Sequence, residues 1–366
     1  MSELKVTISA AEQSSYMIRI GSGMLGEVLG HVGKLCAAKR QFIVTDSNIV
    51  DAGHLGRLLG NCDAAMYVID PPGEINKTID TAIAIIETME KAFYGRDSVI
   101  VALGGGTVGD IAGFAAAIYK RGVDVVQIPT TTVAQADSSV GGKTGVDSTV
   151  SKNAFGAFWQ PKAVYIDVET LLTLDDRQYR AGLVESVKHA LIADAGYFEM
   201  FENDMDAVLA KDLKVLEKIA YTNCSIKASV VEEDPTEKNR RRVLNYGHTI
   251  GHAVETASRF ELLHGEAVAI GIIGAGLIEK EMGIATGEQL KRIEKVLEKL
   301  GMPVRIPESI DKDGLIEIIK RDKKAVNKWP KFVLLETIGS ARCVDGQWAC
   351  SVSEGIVNKV LDELYG

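Results

Sequence analysis

The feature that most restricts how this chain folds is a series of short apolar, β-branched runs in its first half, each followed by a helix-length segment. The runs are 41–46 (QFIVTD), 65–70 (AMYVID), 98–103 (SVIVAL), 123–129 (VDVVQIP) and 163–167 (AVYID), with helical stretches such as 77–93 and 108–120 between them. Runs without polar alternation are strands buried on both faces, which in a βα series means a parallel sheet with helices on both sides. The expectation is a doubly wound, Rossmann-like α/β domain. Two earlier segments, 4–9 (LKVTIS) and 16–21 (YMIRIG), read as an opening hairpin.

From about Leu174 the period becomes 3.6: residues 177–193, 197–210, 212–232, 246–258, 265–282 and 286–300 read as helices, and 331–336 with 341–344 as a strand pair. The predicted fold class is α/β, a parallel-sheet domain over residues 1–174 and a mainly α-helical domain over 175–366. The length of 366 residues supports two cores. Forty-one Lys and Arg against fifty Asp and Glu, net −9, disfavour nucleic acid and anionic membrane as partners. The longest uncharged apolar run, 267–278, is too short to span a bilayer, and the opening MSELKVTISA has no basic segment leading an apolar one, so a cytoplasmic protein is expected. Five cysteines without a CxxC pair read as reduced thiols.

The 36 glycines cluster at 104–113, 141–145 and 265–276. The first cluster, Gly104-Gly105-Gly106-Thr107-Val108-Gly109-Asp110, follows a strand and opens a helix, the context in which G-x-G-x-x-G cradles a pyrophosphate. A tight turn is an equal alternative, because the motif is not in the first βαβ unit. Asp46 and Asp70 end two strands, where an acid either grips a ribose or caps the next helix. In the second cluster, 138–146 (SSVGGKTGV), Asp137 occupies the position where a phosphate-loop NTPase needs glycine, so that class is excluded. What remains is a loop presenting Asp137 and Lys143, with Lys152 and Asn153 close behind, for binding or for solvent.

Three of six histidines, His248, His252 and His264, fall within seventeen residues. His248 and His252 are i,i+4, but Thr249 stands where a zincin peptidase has glutamate. Two histidines plus a distant carboxylate make an open metal site, and Glu185, three residues before Lys188 in an apolar helix, is the best candidate. The bland alternative is a self-contained Glu185–Lys188 pair beside hydrogen-bonded histidines. Basic runs at 240–242 and 320–324 are either solvated or grip an anionic substrate. The residues alone reach a metal- and nucleotide-dependent enzyme acting on an anionic small molecule.

The segments GGGTVGDIAGFAAA, PTTTVAQADSSVGGKTGV, KNAFGAFWQP, GLVESVKHALIAD, RVLNYGHTIGHAVE, HGEAVAIG and DKK, in this order over roughly 70–340, resemble the sugar-phosphate cyclases. The resemblance implies a site in the cleft between a nucleotide-binding and a helical metal-binding domain, a homodimer, NAD, and zinc replaceable by cobalt. It places the metal on Glu185, His248 and His264 and makes His252 a substrate contact. It places NAD on Gly73, Glu74 and Lys77, on Gly106, Thr107, Gly109 and Asp110 beside Gly105, on Thr130 and Thr131, on Lys143 and Lys152, and on the turn Thr170, Leu171, Leu172, Thr173; Asp46 is the ribose candidate from the strand-end reading. It implies a catalytic set of Asp137, Lys143, Lys188, Asn245 and His252, with Lys152, Asn153, Lys227, Arg241 and either Lys323 or Lys324 holding the substrate. Arg121 would reach the phosphate bound by the partner subunit.

The implied chemistry is conversion of 3-deoxy-D-arabino-heptulosonate 7-phosphate, a sugar-acid phosphate, by transient oxidation, β-elimination of phosphate, re-reduction and intramolecular aldol closure. Relatives of the valiolone and 2-deoxy-scyllo-inosose types use substrates without a carboxylate. Lys227 and Arg241 bind that carboxylate in the resemblance, and a charged pair facing no anion is costly, which favours the heptulosonate branch. A metal-dependent NAD alcohol dehydrogenase and a non-catalytic sensor are the rival classes. Two departures stand out: Asp147 replaces the usual Asn, and Asn239 replaces a glycine in the segment 234–241 leading to Arg241, which puts that loop in question.

Overall fold

A computed structural model describes residues 15–37, 39–259, 261–320 and 329–365. Its strands are β1 (Met17–Gly21), β2 (Arg40–Asp46), β3 (Met66–Ile69), β4 (Ser98–Gly104), β5 (Asp124–Pro129), β6 (Lys143–Val146), β7 (Phe155–Phe158) and β8 (Ala163–Asp167). The helices of this half are α1 (Leu25–Leu35), α2 (Ser47–Asp51), α3 (His54–Leu59), α4 (Ile79–Lys91) and α5 (Gly106–Ile118). Six strands form one sheet in the order β1-β8-β5-β4-β2-β3, and every described pairing in it is parallel.

Double winding is visible in β4. Val99, Val101 and Leu103 pack with Leu25, Val28 and Val32 of α1 and Leu55 and Leu58 of α3. Ile100 and Ala102 face the opposite core with Ile85 and Met89 of α4 and Ile111 and Ala115 of α5. A strand covered on both sides has no polar face to show, which is why 98–103 reads as an unbroken apolar run.

Of the expected opening hairpin, residues 16–21 supply β1, the edge strand of the sheet, which pairs in parallel with β8 on one side, while 4–9 lie outside the described residues. Residues 143–158, read as a loop, contain the antiparallel pair β6–β7. Glycine at 145 and 156 allows this: a Cβ at either would press within 2.8 Å of a carbonyl oxygen of the opposing strand.

The second half holds α6 (Asp176–Ala193), α7 (Ala195–Asn203), α8 (Met205–Leu209), α9 (Leu213–Glu233), α10 (His248–Ala257), α11 (His264–Glu281), α12 (Gly287–Lys299), α13 (Lys312–Lys320) and α14 (Glu354–Tyr365). The segment 197–210 is two helices, not one, broken at Asp204. Short strands β9 (Lys331–Phe332), β10 (Leu335–Thr337), β11 (Ser340–Ala341) and β12 (Cys350–Ser351) pair as β10–β11 and β9–β12, so the expected single strand pair is split between two partners. Helix α11 is buried on every side from Gly265 to Glu279 and forms the axis of this half, packed against α10, α6, α12 and α14. One core runs from α6 and α11 back to Val164 and Ile166 of β8, so the helical half rests on the last strand of the sheet. All five cysteines are free thiols.

Candidate active site

Helix α11 brings the histidines and Glu185 together through glycines. A side chain at Gly265 would collide with the Ala181 carbonyl of α6, and one at Gly271 with the Gly247 carbonyl before α10. The three backbones therefore approach more closely than larger residues allow. At the start of α11 the Glu266 carboxylate accepts the Leu263 N–H at 2.8 Å and a fork of two hydrogen bonds from Arg177, at 2.7 and 2.8 Å. This locks the His264 end of α11 to the start of α6.

Within that frame the Nε2 atoms of His248 and His264 converge on Glu185 Oε1, at 3.6 and 3.4 Å. Each ring is held by its other nitrogen: His248 Nδ1 donates to the Tyr246 carbonyl at 3.0 Å, and His264 Nδ1 to Glu255 Oε2 at 3.1 Å. Both Nε2 lone pairs are thus turned toward a buried carboxylate oxygen that has no hydrogen-bond partner. Two imidazole nitrogens and a carboxylate oxygen, each oriented from behind, form a donor set that fits a divalent cation. Without one, burial alone would lower the His264 pKa, but the Glu185 and Glu255 carboxylates beside it override burial and push it up to about 10. Burial holds His248 well below its ordinary value and hence neutral. The three histidines also cluster, with ligand atoms within 4.8 Å, but His252 is exposed where Glu185 is buried. Of the two groupings, the one of Glu185, His248 and His264 shares the buried carboxylate oxygen.

Glu185 Oε2 accepts a hydrogen bond from Lys188, and both side chains are fully buried. Burial would lower the Lys188 ammonium, yet the carboxylates of Glu185 and Asp137 raise it. Lys227 reaches Asp137 Oδ1 at 2.8 Å and also donates to its carbonyl; burial lowers its pKa in spite of that partner. His189 lies 3.8 Å from Asp137 Oδ1 with Nδ1 toward Asn223, and burial pushes its pKa down to about 4, so it is neutral. Arg241 is the largest fully buried side chain. It donates to the carbonyls of Pro235 and Gly141, its Nε has no partner, and it forms no ion pair among the described residues.

The loop before Arg241 keeps its shape without the usual glycine. Asn239 has a negative φ, −150°, so it does not occupy the left-handed region that requires glycine, and Asp234 accepts the N–H groups of Lys238, Asn239 and Arg241 at 2.7–3.0 Å. Glu237 of the same loop accepts from Asn245 Nδ2 at 2.9 Å and from Lys143, joining β6 to the helical half. Asp147 has a use here too: its Oδ1 accepts the Asn153 N–H at 2.6 Å and shapes the 147–154 turn.

On the sheet side, Gly105 caps α5 without a side chain, leaving the N–H groups at Gly106 and Thr107 for a ligand. Gly109 lets α5 sit against β5, since a Cβ there would meet Gln127 Oε1 at 2.7 Å. Lys77 is buried and pairs with Asp110 at 2.8 Å, and Thr107 Oγ1 donates to Glu74 Oε2 at 3.0 Å, so both loops of the nucleotide reading meet here. Gly73 holds φ 104° at the start of that turn. Thr131 accepts the Ala134 N–H, the Thr130 hydroxyl is buried without a partner, and Thr170 accepts from Gln135 at 3.1 Å. Leu171 is buried and Leu172 exposed in the same turn, and Thr173 lies 2.6 Å from His54 Nε2. Asp46 caps α2 by accepting the Ile49 N–H, and Asp70 accepts from Ser47.

Arg121 is not brought to the cleft. It lies beyond the far end of α5 from the glycine loop, about 20 Å away along a thirteen-residue helix. Lys323 and Lys324 lie outside the described residues. Sequence reading gave no role to Glu255, Glu237 and His189, each of which has at least one partner from a distant part of the chain.

Fold and site together define the class, a cleft enzyme of the sugar-phosphate cyclase type. Residues 67–181 match a family model described as 3-dehydroquinate synthase N-terminal and 182–325 one described as 3-dehydroquinate synthase C-terminal. A 3-dehydroquinate synthase of Ruminiclostridium cellulolyticum is 47% identical over 80% of each chain. A 2-deoxy-scyllo-inosose synthase solved with carbaglucose-6-phosphate, NAD+ and Co2+ superposes with a TM-score of 0.84 at 30% identity, over 94% of this chain and 96% of the other. A 2-epi-5-epi-valiolone synthase of Streptomyces hygroscopicus subsp. jinggangensis, solved with NAD+ and Zn2+, gives 0.85 at 27%, over 98% and 99%. The chain belongs to the 3-dehydroquinate synthase family. The dehydrogenase and sensor alternatives are not favoured. No helix among the described residues is long and apolar enough to cross a membrane.

Proposed function

We propose that this cleft converts 3-deoxy-D-arabino-heptulosonate 7-phosphate to 3-dehydroquinate and phosphate, a step of the shikimate pathway, with a nucleotide-binding unit over 1–174 and a metal- and substrate-binding unit over 175–366. The observation that carries the reading is the convergence of His248 and His264 on Glu185 Oε1, each ring oriented from behind. When bound there, a divalent ion such as zinc or cobalt supplies a Lewis acid for a substrate hydroxyl, and NAD at the α5 N-terminus supplies a reversible hydride acceptor.

The chain's own groups divide the remaining work. Arg241 and Lys227 are buried cations, and Arg241 lacks an anion, so they suit the substrate carboxylate. Lys143, Lys152 and Asn153 stand on β6 and the 147–154 turn and bind the phosphate end. Lys188, held charged by Glu185 and Asp137, stabilises negative charge on a substrate oxygen. His252, exposed beside the donor set, takes and returns protons of the substrate hydroxyls. Asp137 and Asn245 fix the lysines and the substrate around them. Arg121, remote within one chain, acts on the phosphate held by a second copy, so the working form is a homodimer in the cytoplasm.

The experiment is phosphate release from the heptulosonate phosphate with catalytic NAD and zinc or cobalt. Release that stops with a chelator and in His264→Ala supports the reading. Undiminished release in His264→Ala overturns the donor assignment, and stoichiometric NADH accumulation overturns the cyclase chemistry.

A further inference from the structure

Glu255 is nearly buried on α10 and serves two partners. Its Oε2 takes the Nδ1–H of His264, and its Oε1 lies 3.1 Å from Lys152 Nζ. Lys152 belongs to the turn between β6 and β7, in the sheet half. The same ammonium lies 3.5 Å from Glu74 Oε1, and Glu74 Oε2 accepts from Thr107, the second residue of α5 behind the glycine loop. The turn carrying Lys152 is tied to the Glu74 segment through the backbone as well, since the Asp147 N–H donates to the Lys77 carbonyl at 2.8 Å. A continuous series of polar contacts thus runs Thr107–Glu74–Lys152–Glu255–His264, from the glycine loop to a donor of the metal set.

We infer that Glu255 is a positioning residue that fixes the His264 ring for the metal and, through Lys152 and Glu74, makes metal affinity depend on occupancy of the nucleotide loop. Holding Nδ1–H leaves the Nε2 lone pair aimed at the ion, and a carboxylate behind an imidazole also raises its basicity as a ligand. A nucleotide that draws on Glu74 or Thr107 redistributes the contacts of Lys152, and Glu255 feels the change with one oxygen while holding His264 with the other. By linkage the effect is reciprocal: metal alters nucleotide affinity by the same factor.

This rests on the donor assignment proposed above, and the test separates the two. Metal-stripped protein is titrated with Zn2+ against a chromogenic chelator, with and without saturating NAD, for wild type, His264→Ala, Glu255→Ala and Glu255→Gln. Glu255→Ala is expected to weaken Zn2+ roughly 10- to 100-fold. Glu255→Gln, whose amide oxygen still accepts Nδ1–H, regains most of that loss. Saturating NAD shifts Zn2+ affinity of the wild type by roughly fivefold or more and leaves that of both Glu255 variants unchanged. Wild-type Zn2+ affinity in Glu255→Ala overturns the positioning role. An NAD effect absent from the wild type, or undiminished in Glu255→Gln, overturns the coupling. Unaltered Zn2+ affinity in His264→Ala instead overturns the donor assignment itself.

Discussion

At the start of α5 the groups offered to a ligand are backbone N–H groups with no side-chain cap, and the nearby Lys77 is shared between the carboxylates of Asp110 and Glu74. The cluster of charged side chains on α6, α9, α11 and the segment leading into α10 is built the other way. It buries whole charges, and Arg241 has no ion pair among the described residues, while Glu185 is pressed against two imidazoles. A backbone cradle asks little of fold stability and follows from one strand–turn–helix unit. A pocket of buried charge is costly to fold around and discriminates among ligands, because each cation needs its anion.

The contrast is broken most forcibly at the donor set. His264→Ala removes one of three donors and leaves Glu185 facing a smaller counter-charge; phosphate release should fall by about 3 kcal/mol or more in barrier, roughly two orders of magnitude. Steady-state release with and without added Zn2+ checks this.

A second test lies deeper on α11. Burial raises the Glu279 carboxyl to about 8, although the Leu335 N–H donates to its Oε1. The folded-state value exceeds the unfolded one, near 4.3, so the folded protein binds the extra proton between those limits and stability is lost as pH rises through 8. Glu279→Gln should remove this slope. Relative to it, the wild type loses up to about 4 kcal/mol between pH 5 and 9, readable from urea midpoints at both ends.

Arg241→Met sharpens the comparison further. Replacing a buried cation that has no ion pair should change stability by no more than about 1 kcal/mol, because relief of its desolvation offsets removal of its hydrogen bonds to the Pro235 and Gly141 carbonyls. Its kcat/KM for the heptulosonate phosphate should fall by about 2 kcal/mol, roughly thirtyfold. The smallest effect is expected in the cradle: Gly109→Ala meets only the end of the Gln127 side chain, which can move, so a loss of about 1 kcal/mol in stability and a modest rise in the KM for NAD are expected.

The cradle was also the more legible region. Strands 41–46, 98–103 and 163–167, the helix after Gly104 and the glycine loop are local patterns, each carried by a few consecutive residues. The charged pocket was legible in its types, Glu185 with Lys188 and the three histidines, but not in its arrangement. The i,i+4 spacing pointed to His248 with His252, which do lie side by side, but it could not show that packing at Gly265 and Gly271 brings His264 and Glu185 to the same place. Glu255 and Glu237 lay inside segments singled out in the sequence but received no role, since a carboxylate that orients another residue looks like any helical or loop acid until its partner is known. The pairing of β1 with β8 was not legible, because a period of two says nothing about the partner strand, and β8 is far along the chain. The helices at 312–320 and 354–365 passed unnoticed, being short and charged on one face.

The central claim is that the buried cations choose a carboxylated substrate. Its most direct test is the ratio of kcat/KM for 3-deoxy-D-arabino-heptulosonate 7-phosphate to that for sedoheptulose 7-phosphate, measured by phosphate release in the wild type and in Arg241→Met. The account predicts a strong preference for the heptulosonate that collapses in the variant through loss on the heptulosonate side alone. An equal or reversed preference in the wild type, or a ratio unmoved by Arg241→Met, would contradict it.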